Sequence, residues 1–145
     1  MNIYIETPLR VSGVSERDID LLLLEEFFSS PKFIDWFVES IDFQEAKNSE
    51  LIQVRRSATD LTGESDLEVE LSNHAGDRFI LLIENKIKAH FQPRQAHRYQ
   101  ERGASYVSRG LCKKYKTVLI APHNYLGDDS GKIGFDAVIE YEAVI

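Results

Sequence analysis

The chain has 145 residues, 43% of them hydrophobic, and a formal net charge of −7. That length suits one domain over residues 1–145 with a real core, and no apolar run reaches membrane-spanning length. The lone Cys112 excludes a disulfide framework and a cysteine-ligated zinc or iron–sulfur centre, and the acidic balance argues against nonspecific coating of nucleic acid.

Met1–Glu6 lacks the basic and apolar regions of a signal peptide, so a cytoplasmic protein is expected. Ser15 is a candidate N-cap for a first helix with Ile19, Leu22 and Leu23 on its apolar stripe. Ser30-Pro31 opens a second helix running through Trp36 to Ile41, with Ser30 as N-cap and Pro31 at the first position. Leu51–Arg55 reads as a strand leading into a loop over Ser57–Ser65.

Asp66–Ser72 alternates apolar and polar residues, the pattern of a half-buried strand, and Arg78–Ile83 is nearly all apolar. Asn73-His74-Ala75-Gly76-Asp77 between them is rich in turn formers. If Ser72 faces Arg78 in an antiparallel hairpin, Asp66 faces Glu84, and Leu67, Val69, Leu71, Phe79, Leu81 and Ile83 share one apolar face. Directly opposed residues have Cβ atoms roughly 4.5–5.5 Å apart, so two carboxylates there repel unless a cation neutralises them. The period of two sets Lys86 on the face of Glu84 and points Asn85 away.

Gln95 and Tyr99 are four residues apart and share one side of a helix. From Gln92 to Lys116 the cations are Arg94, Arg98, Arg102, Arg109, Lys113, Lys114 and Lys116, against the single acid Glu101. Arg94, Arg98 and Arg102 recur every four residues as a basic stripe suited to phosphates. Thr117–Ala121 is a short buried strand stopped by Pro122, and a loop over His123–Lys132 follows. The ending on the apolar Phe135–Ile145 segment leads us to expect a domain truncated at its C-terminal end. His74, His90, His97 and His123 lack zinc-ligand spacing.

Ser65-Asp66 followed by Glu84-Asn85-Lys86 resembles the PD-(D/E)XK nuclease superfamily, and Gln95-Ala96-His97-Arg98-Tyr99 resembles the Gln-hydrophobic-x-x-Tyr motif of its RecB-like branch, which lies on the helix after the catalytic strand. The resemblance implies an α/β, restriction-endonuclease-like core: a mixed central sheet flanked by helices on both faces. It further implies Mg²⁺- or Mn²⁺-dependent hydrolysis of nucleic acid, with DNA favoured. Asp66, Glu84 and the Asn85 carbonyl would hold the metal, and Lys86 would orient water and stabilise charge on the phosphate. Gln95 and Tyr99, with Arg94, Arg98 and Arg102, would contact nucleic acid or brace the site. Members often supply a Glu from the first helix; Glu16 is favoured here and Glu26 is the alternative. Two other readings stand beside this one: a catalytically inactive nuclease-like domain that binds nucleic acid or protein, and an interaction domain in which Asp66, Glu68 and Glu70 are the wet face of a sheet.

Overall fold

The computed structural model describes residues 16–60, 63–86, 94–123 and 134–144, with side chains for 18–56, 67–86, 94–123 and 134–144. The described residues form an α/β fold with a five-stranded mixed sheet. Helix α1 (Glu16–Ser29) and helix α2 (Pro31–Ser40) precede strands β1 (Glu50–Asp60), β2 (Gly63–Ser72) and β3 (Arg78–Asn85). Helix α3 (Gln95–Ser108), strands β4 (Lys114–Ala121) and β5 (Ala137–Glu140), and one helical turn, α4 (Tyr141–Val144), follow. The strands lie in chain order: β1, β2 and β3 are antiparallel, and β3, β4 and β5 run parallel.

Local chemistry sets the helix boundaries. Ser30 is extended, and its Oγ accepts the Phe33 N–H at 3.1 Å, with Pro31 in the first turn where a missing N–H costs nothing. Ile19, Leu23 and Phe27 recur at helical spacing and bury one stripe of α1. The proposed N-cap of α1, Ser15, lies outside the described residues. Among the described residues no helix is long and apolar enough to cross a membrane.

The β2–β3 hairpin has the register counted from the sequence, from Ser72 opposite Arg78 to Leu67 opposite Ile83. Its turn is closed by Asn73, whose Oδ1 accepts the Ala75 and Asp77 N–H groups at 3.0 Å each. Gly76 sits at φ +85°, a backbone state that only glycine enters without strain. Leu67, Val69, Leu71, Phe79, Leu81 and Ile83 are buried together with α1 and α2 on one face. Ile80 and Leu82 join Tyr99 and Tyr106 of α3 on the other. The central strand β3 is thus covered on both sides, which is why it reads as a continuous apolar run.

One expectation is corrected. The segment read as a loop over Ser57–Ser65 is largely sheet: β1 continues to Asp60 and pairs with β2 through Ala58–Ser65, Thr59–Glu64 and Asp60–Gly63. Its small polar residues carry no alternation, but ladder hydrogen bonds to β2 do not depend on it. The C-terminal apolar segment divides into β5, parallel to β4, and α4, whose Tyr141 is fully buried. Most of the loop expected over His123–Lys132 lies outside the described residues.

Helix α3 comes close to β4 at Gly103, where a Cβ would overlap the Tyr115 ring. Gly103→Ala is therefore expected to destabilise the fold by about 1–3 kcal/mol through overpacking, despite the better helix propensity of alanine. Urea unfolding measures this; an unchanged or raised midpoint would show that the ring moves aside at no cost.

Candidate active site

The C-terminal end of β3 carries Glu84, Asn85 and Lys86, all buried. Alternation along the strand turns Glu84 and Lys86 to the α3 face and Asn85 to the α1 face. Lys86 Nζ lies 3.3 Å from Glu84 Oε2, and the Tyr99 hydroxyl donates to Glu84 Oε1. Each carboxylate oxygen thus has a donor, which offsets the cost of removing the charge from water. The Lys86 N–H donates to Ile120 O at 2.9 Å and extends the β3–β4 ladder one residue past the strand.

Asp66 belongs to β2, one residue beyond the Leu67–Ile83 pair; its side chain lies outside the described residues. The backbone of Lys86 points to β4, so alternation turns that of Asn85 toward β2. The Asn85 carbonyl and the Glu84 carboxylate are hard oxygen donors, the chemistry that suits Mg²⁺ or Mn²⁺. Among the described residues no three His, Cys, Asp or Glu side chains are grouped to hold a metal, and the set implied by the sequence needs Asp66 to complete it.

On the opposite face, the Asn85 side-chain amide donates to Asp20 Oδ1. Asp20 is 7% exposed, and among the described residues it is the α1 carboxylate bonded to the Glu84–Lys86 strand. The Glu16 side chain lies outside the described residues, while Glu26 is partly exposed. Asp20 could have been noticed from its spacing: with Leu23 and Phe27 it follows the buried stripe at i, i+3 and i+7.

Helix α3 divides the expected nucleic-acid contacts. Tyr99 faces the sheet and is buried, and Gln95 is half-buried one turn earlier. Arg94 is exposed at the helix start, and Arg98 is partly exposed. Arg102 leaves the stripe: it is 2% exposed and its Nε donates to Glu68 Oε2. Four-residue steps advance roughly 400° around a helix, so the row drifts, and Arg102 falls seven residues from Gln95 on the inward face. Glu68, itself buried, also accepts from the Tyr106 hydroxyl at 2.7 and 2.9 Å and from Arg55 at 2.6 Å. Burial first, and then the Glu68 carboxylate, push the Tyr106 phenol up to about 12.

The neighbouring Gln100 ties α3 to the β4–β5 end of the sheet. Its Nε2 donates to Thr117 Oγ1 at 3.1 Å and to Gly134 O at 2.8 Å. The Asp136 carboxylate accepts the Thr117 N–H at 2.8 Å. Helix α3 is therefore anchored on both sides of Tyr99, by Glu68 toward β2 and by Gln100 toward β4.

Compared with models of protein families, with curated proteins and with solved structures, the chain matches none of them.

Proposed function

We propose that the protein is a metal-dependent nuclease with a restriction-endonuclease-like core, hydrolysing phosphodiester bonds of nucleic acid, DNA above all. The observation that carries this reading is the Glu84 carboxylate, fixed between Lys86 and Tyr99 at the end of a central strand whose antiparallel neighbour bears Asp66. Support also comes from the motif order: Gln95 and Tyr99 stand on the helix that follows this strand, and the sheet is mixed with helices on both faces.

Asp66, Glu84 and the Asn85 carbonyl would hold Mg²⁺ or Mn²⁺, which when bound polarises a phosphate oxygen and acidifies a water. Lys86 supplies a fixed positive charge where negative charge grows on the phosphate, in surroundings whose low dielectric strengthens it. Tyr99 holds the Glu84 carboxylate in one orientation. Arg94 and Arg98 bind backbone phosphates ahead of the site.

The test is cleavage of single- and double-stranded DNA and RNA with Mn²⁺, Mg²⁺ or a chelator. Metal-dependent cutting of any of these, lost in Glu84→Gln, is the expected result. Binding without cutting under all conditions would overturn the reading in favour of an inactive nuclease-like domain.

The arginines are expected to govern affinity rather than rate. Replacing Arg94 and Arg98 by alanine should weaken binding and reduce the slope of log K against log salt by roughly 0.9 for each duplex phosphate no longer neutralised. Saturated turnover should change little, because these charges attract ground and transition states alike. Tyr99→Phe should do the opposite, lowering the saturated rate with little change in affinity. An unchanged salt slope in the double arginine variant would place the phosphate track elsewhere.

A further inference from the structure

Beyond β3, the same end of the sheet carries a second ordered pair of titratable groups. His123 follows β4 by two residues, and its Nδ1 lies 2.8 Å from Glu140 Oε2 at the end of β5. Its backbone N–H donates to Glu142 Oε1 at 3.1 Å, so one carboxylate holds the main chain and another the ring. The ring remains 78% exposed. With Nδ1 engaged by a carboxylate, Nε2 is the nitrogen left to serve solvent or substrate.

The ladder places this pair relative to the proposed nuclease centre. Glu84 is level with Leu119 and Asn85 with Ile120, so Lys86 is level with Ala121, which in turn pairs with Glu140. Leu119 and Ala121 pack with α3, while Ile120 and Ile139 pack on the other face. Glu140 therefore shares the face of Glu84 and Lys86, and its bond to His123 draws the imidazole to that face. From Lys86, His123 is one strand across, about 4.8 Å, and two residues further along, about 6.6 Å. Glu84, Lys86 and the His123–Glu140 pair thus open on one face at one end of the sheet.

We propose that His123, oriented by Glu140, is the general acid that protonates the departing oxygen of the phosphodiester cut at the Glu84–Lys86 centre. The proposal rests on the nuclease reading. As the water oxygen bonds to phosphorus and the P–O ester bond breaks, the departing oxygen keeps the bonding pair and takes the Nε2 proton. The proton of the attacking water passes to solvent, which reprotonates His123. Glu140 is a positioning residue that favours the imidazolium; its hydrogen bond and charge, with the charge of Glu142, raise the His123 pKa above its ordinary value. Two nearby carboxylates make the pair a poor resting place for a phosphate and a good setting for a proton donor.

The experiment compares wild type, His123→Ala, Glu140→Gln and Lys86→Ala on an oligonucleotide that the wild type cuts at a mapped bond. It repeats the comparison with sulfur replacing the 3′ or the 5′ bridging oxygen at that bond. A thiolate departs without a proton, so a variant lacking the acid recovers on the substrate whose sulfur leaves. His123→Ala should lose on the order of 10²-fold in kcat on the oxygen substrate and come within a few fold of wild type on one sulfur substrate. Lys86→Ala should be impaired on all three. The wild-type rate should fall as pH rises through the His123 pKa; that limb should be absent in His123→Ala and moved to lower pH in Glu140→Gln. An equal His123→Ala defect on all three substrates, or none on the oxygen substrate, would overturn the role and leave the nuclease standing. Wild type that cuts nothing overturns both.

Discussion

Lys86→Ala is expected to lower cleavage by on the order of 10³-fold without weakening the binding of Mn²⁺, whereas Asp66→Asn should lose both. The lysine donates charge rather than electron pairs, so it cannot be a metal ligand, and its Nζ sits 3.3 Å from Glu84 Oε2. Removing it takes away a cation that competes for that oxygen, so the affinity for a divalent ion should be unchanged or improved. What disappears is a fixed positive charge in a buried setting, worth about 10²–10³ in rate when a single such stabilising group is deleted. The loss should fall on kcat more than on KM, because the charge matters most when the phosphate carries extra negative charge. In metal-free buffer Lys86→Ala should also be less stable than wild type, since Glu84 is left buried with the Tyr99 hydroxyl but without its cation. Added Mn²⁺ should then restore more stability to the variant than to wild type, by mass action on the folded state. Calorimetric titration and melting with and without Mn²⁺ measure these effects. Equal loss of metal affinity in Lys86→Ala and Asp66→Asn would refute the division of roles.

The parts of this arrangement that could be read from the sequence are those set by a period of two. The Asp66–Ser72 alternation, the turn-forming Asn73–Asp77 and the apolar Arg78–Ile83 run give one register, and the ladder from Ser72–Arg78 to Leu67–Ile83 has it. The same period separates Glu84 and Lys86 from Asn85, as their partners Tyr99 and Asp20 on opposite faces show. What stayed hidden depends on tertiary packing that no periodicity encodes. Asp20 follows the buried stripe of α1, but its partner Asn85 comes from a strand 65 residues away, to which no spacing points. Glu68 alternates with apolar neighbours as a solvent-facing strand residue would, yet α3 covers it. His123 has no sequence signal at all, because Glu140 reaches it through the parallel pairing of β4 with β5.

Arg102→Met should destabilise the fold by about 3–5 kcal/mol, while Arg102→Met combined with Glu68→Leu should recover most of the loss. Both side chains are almost fully buried, at 3% and 2% exposure, and they bridge α3 to β2. Taking out the arginine strands a carboxylate under the helix, where Tyr106 and the half-exposed Arg55 replace only part of the missing interaction. Taking out both partners removes the desolvation cost along with the attraction, and the apolar replacements would extend the cluster that holds Ile80, Leu82 and Tyr106. Alkaline unfolding gives an independent readout. The Tyr106 pKa is raised from its ordinary value of 10 to about 12 in the folded protein, so the folded state holds a proton that the unfolded chain releases. Its contribution to stability is therefore complete below about pH 10 and is lost as pH rises through about 12. Glu68→Leu should make that decline shallower, since it removes the second cause of the shift and leaves burial. None of these changes should alter the salt dependence of nucleic-acid binding, in contrast to the Arg94 and Arg98 variants, because Arg102 has no access to phosphates. A stable Arg102→Met protein with a reduced salt slope would return Arg102 to the surface stripe and separate α3 from Glu68.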